Sequence, residues 1–136
     1  MARQRPDLEL YYPIKDRGVD LLAVKRDGKG PRSIQIKESR VYAGKDHSWH
    51  QIRPEKLADA DVFVFITYVP VVSGHRAAFE NDFVIVPRDD LRRLCADKRC
   101  SKGKYSFYFR ARSGVLEEIR DGRRDMTKYH RAWQLV

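Results

Sequence analysis

The feature that most constrains this chain is the run Asp61-Val62-Phe63-Val64-Phe65-Ile66-Thr67-Tyr68-Val69, in which every residue after the aspartate is β-branched or aromatic. Such a run predicts a central strand over residues 61–69, buried on both faces. It is far too short to cross a bilayer. The rest of the chain must therefore supply neighbouring strands and covering layers.

The flanking segments supply them. Residues 8–14 are apolar and aromatic, interrupted by Pro13, and read as a short edge strand or extended lead-in. Residues 19–24 form a strand candidate, and residues 25–32, with Asp27-Gly28 and Gly30-Pro31, form a turn. Residues 33–37 alternate strictly between polar and apolar, completing a β-hairpin. Residues 38–51 read as a loop or distorted strand, with Tyr42 and Trp49 as its large anchors. Pro54 and Glu55 suit the first turn of a short helix beginning at residue 53. Residues 71–81 read as a connection containing Gly74, and residues 82–86 as the next strand, stopped by Pro87. Residues 88–95 make a short helix with Leu91 and Leu94 inward. Residues 104–109 alternate as another strand, and in residues 126–136 Tyr129, Ala132, Trp133 and Val136 fall at helical spacing. The expectation is an α/β domain around one central mixed sheet, flanked by short helices. With 136 residues and no internal repeat, residues 1–136 form a single domain.

Charge narrows the partner. Lys and Arg number 28 against 19 Asp and Glu, a net +9. Residues 1–52 carry +4, residues 53–87 carry −2 and residues 88–136 carry +7, so an acidic, apolar core segment lies between basic flanks. That excess favours an anionic partner, nucleic acid before any other. A basic protein kept soluble by its charge is the plain alternative. Two cysteines are too few for a disulfide framework, and residues 1–7 are polar rather than signal-like, so a cytoplasmic location is expected.

The hairpin carries the chemistry. Residues two apart on a strand face the same side, so Gln35 and Lys37 project together while Ile34 and Ile36 pack behind them. Asp20 stands near the start of the preceding strand, so an acid, an amide carbonyl and an amine can converge at one sheet edge. Two oxygen ligands completed by substrate phosphate and water suit Mg²⁺, or Mn²⁺ in its place. A lysine beside such a metal can orient or deprotonate an attacking water and stabilise the pentacoordinate phosphate. The competing reading of Gln35 and Lys37 is a half-buried strand whose polar face is wet. Beyond Lys37, Ser39 and Arg40 are candidate phosphate contacts, with a solvated strand end as the equal alternative.

The residues Tyr12-Pro13, then Asp16-Arg17-Gly18-Val19-Asp20-Leu21-Leu22, then Ile34-Gln35-Ile36-Lys37 resemble the PD-(D/E)XK nuclease superfamily. That signature is an acid on one strand and an acid-x-Lys on the next. Asp20 matches the first acid and Lys37 the lysine. Gln35 holds the second-acid position, as in a recognised subset of the superfamily. The resemblance covers residues 11–40 and implies a restriction-endonuclease-like fold and metal-dependent cleavage of DNA. Asp20 and Gln35 would be the metal ligands and Lys37 the water-orienting or charge-stabilising base. The superfamily commonly adds a glutamate from a helix before the first motif strand; here Glu9 is the position from which an extra acid could come.

Elsewhere, His47 and His50 are spaced H-x₂-H, and Cys95 and Cys100 C-x₄-C. Those spacings depart from familiar zinc patterns, so free thiols and surface imidazoles are expected, with His75 and His130 isolated. On the strand at residues 104–109 the Phe face reads as core, leaving Tyr108 and Arg110 as candidate nucleic-acid contacts. The expected partners are nucleic acid, DNA ahead of RNA, and a second copy of the chain, with no membrane. Two other readings stand beside the nuclease: a catalytically inactive nucleic-acid-binding module on the same scaffold, and a protein-interaction adaptor.

Overall fold

A computed structural model describes residues 5–15, 18–27, 30–40, 46–73 and 76–136, without the side chains of residue 40 and residues 70–80. Gly28, Tyr42, Gly74, His75 and the Arg40 side chain therefore lie outside the described part. The strands are β1 (Leu8–Tyr11), β2 (Leu21–Lys25), β3 (Arg32–Arg40), β4 (Ser48–Ile52), β5 (Val62–Ser73), β6 (Arg76–Pro87), β7 (Tyr105–Arg112), β8 (Val115–Glu118) and β9 (Arg124–Asp125). One α-helix, α1 (Arg88–Ala96), follows β6, and 3₁₀ turns occupy Pro54–Ala58, Thr127–Tyr129 and Trp133–Leu135.

The expected strand at residues 61–69 is β5, and it is central. A mixed five-stranded sheet runs β1-β2-β3-β5-β6, with β3 and β5 parallel and every other pair antiparallel. Phe63 and Phe65 join one buried cluster, with Phe107, Phe109, Leu91 and Met126. Val62 and Val64 join another on the opposite face, with Leu21, Ile34, Ile85 and Val136. Both faces are covered, as an unbroken β-branched and aromatic run requires.

The single sheet read from the sequence is two sheets. β4, β7, β8 and β9 form a separate antiparallel sheet packed over the Phe63–Phe65 face. Its inward residues alternate: Ser48, His50 and Ile52 on β4, Phe107 and Phe109 on β7. Residues 71–73 and 76–81 prove to be strand, because β5 and β6 pair from Val62–Pro87 out to Ser73–Arg76. The described pairing of β3 with β5 ends at Arg40–Tyr68. Residues 126–136 do not form a helix. Arg131 adopts φ 51°, which ends any helical run, and its amide donates to the Phe83 carbonyl (2.9 Å), so the tail is bound along β6. His130 shares a hydrogen bond with Asp82 (2.8 Å) on the same strand.

His50 is a surface imidazole neither by position nor by chemistry. It is 2% exposed and lies between the sheets against Phe65 and Phe109, with Nε2 at 3.1 Å from Thr67 Oγ1. Burial pushes its pKa down to about 4. The unfolded chain takes up this proton as pH falls through about 6.5, while the folded chain resists it until about 4, so this residue's contribution to stability is lost across that window. Between pH 7 and pH 4 the loss should approach about 3 kcal/mol. Urea unfolding of the wild type and of His50→Phe at both pH values measures it. The wild type should lose more stability than the variant, and equal losses would remove this assignment.

Candidate active site

Asp20 immediately precedes β2, whose register with β3 pairs Leu21 with Ile34 and Leu22 with Ser33. Two hydrogen bonds tie it to β3 on either side of Gln35. The Asp20 amide donates to the Ile34 carbonyl (2.9 Å), and the Ile36 amide donates to Asp20 Oδ2 (2.5 Å). The carboxylate is thus fixed at the peptide between Gln35 and Lys37. It takes the place that a β2 carbonyl would hold in a continued ladder. Leu21 packs into the opposite cluster, so Asp20 falls on the side of Gln35.

β3 presents Gln35 and Lys37 toward the second sheet. They stand in register with Phe63 and Phe65 of parallel β5, and in-register neighbours face the same way. Gln35 is 4% exposed, which excludes the wet strand face as its environment. Its Oε1 has no hydrogen-bond partner among the described residues. Lys37 is partly exposed and lines a depression of about 230 Å³ with Gln51, Ile52, Arg53, Lys56 and Lys104.

The turn entering this site is held closely. Gly18 has φ +85°, and a Cβ placed there would fall on the Asp59 carboxylate. Asp59 itself accepts from Lys56 Nζ at 2.8 Å. The 3₁₀ turn Pro54–Ala58 thereby supports both the approach to Asp20 and the wall of the depression.

The other candidates are dispersed. Glu9 is opposite Val24 on β1, four residues along from Asp20's end of β2, about 13 Å at strand rise. It accepts from the Tyr11 hydroxyl (2.7 Å). Ser39 is partly exposed on β3, beyond Lys37. Tyr108 is on the outer face of the second sheet, stacked on His47 (4.8 Å) and covered by the Arg120 guanidinium (5.1 Å). Arg110 shares that face but is engaged by Glu117 (2.9 Å) and Asp46 (3.4 Å). Both cysteines are free. Cys95 is buried, its thiol pushed up to about 12 by desolvation, and Cys100 is exposed. Among the described residues no group of three or more His, Cys, Asp or Glu gathers. The residues that sequence reading missed are Arg53, Lys56 and Gln51. The only signal for them was proximity to a 3₁₀ turn whose place under Lys37 no spacing reveals.

The β2–β3 hairpin thus lies within a mixed sheet, with Asp20 hydrogen-bonded across to β3. The solved structure of a bacterial homing endonuclease, I-Ssp6803I, aligns with 97% of this chain and 78% of that chain, with TM-score 0.56 and 16% identity. The resemblance is therefore one of fold. No family model matches the chain, and no curated protein matches it. No helix among the described residues is long and apolar enough to cross a membrane.

Gly18 offers a test of how the site is held. Gly18→Ala combines left-handed backbone with a clash against Asp59, and should lower stability by about 1–3 kcal/mol. Urea unfolding of the single variants and of Gly18→Ala combined with Asp59→Ala forms a double-mutant cycle. The clash component should be recovered in the double variant. Strict additivity would mean that the two residues do not press on one another.

Proposed function

We propose that this chain is a metal-dependent endonuclease that hydrolyses phosphodiester bonds in DNA, a PD-(D/E)XK enzyme with glutamine at the second-acid position. The observation that carries the reading is the arrangement on β3. Asp20 accepts from the Ile36 amide, flanked in sequence by Gln35 and Lys37, and the buried Gln35 Oε1 has no hydrogen-bond partner among the described residues. The fold shared with a bacterial homing endonuclease supports it at the level of architecture.

The donor set fits Mg²⁺ or Mn²⁺. The Asp20 carboxylate and Gln35 Oε1 are hard oxygen ligands, and the orphaned amide oxygen lacks a partner that a cation would supply. A divalent ion held there would polarise the scissile phosphate and acidify a water. Asp20, anchored by the Ile36 amide, holds its charge at a fixed place on the edge of β3. Lys37 orients the attacking water and stabilises the negative charge that builds on the phosphoryl oxygens. Arg53 and Lys104, lining the same depression as Lys37, draw the phosphate in.

Nicking of supercoiled plasmid in Mg²⁺ or Mn²⁺ tests this. Asp20→Ala should abolish nicking, as should Lys37→Ala with DNA binding largely retained. Gln35→Glu adds a carboxylate and should keep or raise metal affinity, read by the metal concentration giving half-maximal nicking. Equal nicking by wild type and Asp20→Ala would mark a contaminant. No nicking by any protein, with binding intact, would assign the chain to the non-catalytic nucleic-acid-binding class; no binding at low salt would favour an adaptor.

A further inference from the structure

The depression beside Lys37 does not stop at the cleavage site. It shares Gln51 and Lys104 with a second depression of about 360 Å³ on the outer face of the β4–β7 pair, which also includes Trp49, Lys102, Ser106 and Arg120. The shared residues place the two side by side. No aspartate or glutamate lines either one, whereas Lys37, Arg53, Lys56, Lys102, Lys104 and Arg120 all do.

The ion pairs show why this groove, and not the basic tail as a whole, carries the charge. Arg110, Arg112, Arg123, Arg124 and Arg131 are each paired with a carboxylate, from Glu117, Asp46, Asp97 or Asp82. Lys98 is buried between Glu118 (2.9 Å) and Asp121 (2.8 Å). Lys102, Lys104 and Arg120 have no carboxylate at ion-pair distance among the described residues. Arg120 is held over the Tyr108 ring, with Nη1 at 3.3 Å from its hydroxyl. Across the groove floor Ser106 Oγ accepts from Gln51 Nε2 (3.3 Å) and from the Trp49 indole (3.4 Å). The β4–β7 edge of this four-stranded sheet carries amide, hydroxyl and indole groups between cations. Paired strands can enter the major groove of B-form DNA, where amide and hydroxyl groups meet base edges and flanking cations meet phosphates.

We propose that the outer face of β4–β7 is the docking surface for duplex DNA, with Lys102, Lys104 and Arg120 contacting backbone phosphates and Gln51 facing the base edges. This rests on the nuclease reading for the identity of the partner, but not on catalysis. The duplex then leads along the groove to Lys37, so that the surface both binds and delivers the scissile strand.

The test is fluorescence anisotropy of a labelled DNA duplex in EDTA, where no cleavage occurs, across a range of salt. Lys102→Ala, Lys104→Ala and Arg120→Ala, singly and together, are compared with Arg112→Ala and Arg131→Ala, which remove paired cations outside the groove. The triple variant should lose roughly tenfold or more in affinity, and its log–log salt dependence should flatten by about 0.9 for each phosphate contact removed. Lys104→Arg should retain binding, and the two control variants should bind as wild type. Urea unfolding confirms that each variant is folded. Wild-type affinity and salt slope in the folded triple variant would overturn the proposal. So would polyglutamate bound as tightly as DNA with the same residue dependence, which would give the surface to an acidic protein. Either result leaves the nicking comparison with Asp20→Ala to decide the nuclease reading separately.

Discussion

The parallel register of β3 on β5 is the constraint on which the rest of the structure depends. It is set at one end by a clamp between Ser33 and Asp61. The Asp61 amide donates to the Ser33 carbonyl (2.9 Å), while the Ser33 amide and hydroxyl both donate to Asp61 Oδ2 (3.0 and 2.8 Å). The Ser33 amide holds the Asp61 carboxyl below its usual range, with Arg88 as a further stabilising charge. Side chains alternate with a period of two, so a slip of one residue would turn Gln35 and Lys37 to the Val62–Val64 face and Ile34 and Ile36 to the other. The buried Phe63–Phe65 and Val62–Val64 pairs oppose that slip hydrophobically, and the clamp opposes it by hydrogen bonding. Asp20 then reads the register from the other edge, through bonds to Ile34 and Ile36.

The same economy of polar groups runs through the second sheet. Glu118 points inward on β8, where Oε1 accepts the Tyr108 and Arg120 amides and Oε2 meets Lys98. Lys98 also lies over the Phe107 ring at 4.7 Å. A buried ion pair with its other lone pairs filled is tolerated, though removal of either partner would leave an uncompensated charge at a cost of about 3–5 kcal/mol. This pair fixes the start of the segment that brings Arg120 over Tyr108. Structural charge and free charge are therefore separated in space: acids neutralise the arginines of β7 and the tail, and the cations between the two depressions are left to face solvent.

Much of this was legible in the sequence, and the omissions share a cause. The double burial of β5 followed from composition alone, because no other arrangement covers both faces of Val62–Phe65. The β2–β3 hairpin and the grouping of Gln35 with Lys37 followed from alternation. The division into two sheets did not. β4 and β7 each alternate like any half-buried strand, and nothing local tells Ile52 that it packs against Phe63 from above rather than beside it. The tail was misread because Tyr129, Ala132 and Val136 are indeed buried at helix-like intervals, but Arg131 reaches a left-handed conformation that spacing does not encode. His50 was read as exposed because a histidine in a largely polar stretch carries no sign of the aromatic pair that encloses it. Arg110 looked available as a cation for the same reason, its partners Glu117 and Asp46 being far from its own sequence neighbourhood.

Gln35 shows how burial bears on which polar residue a strand can carry. At 4% exposure, a carboxylate at this position would be strongly destabilised without a cation, because an ionised group loses far more solvation than an amide does. A neutral amide with one unsatisfied oxygen costs only about 1–3 kcal/mol. Asp20 lies in the opposite situation, exposed at the strand edge, where its charge is both solvated and hydrogen-bonded. Under the proposed reading, the chain places its one formal charge where water can support it and a neutral oxygen where water cannot. Under that reading, such an edge would be folded and oriented before any cation arrived. The free energy of binding then goes into holding the ion rather than into assembling its ligands.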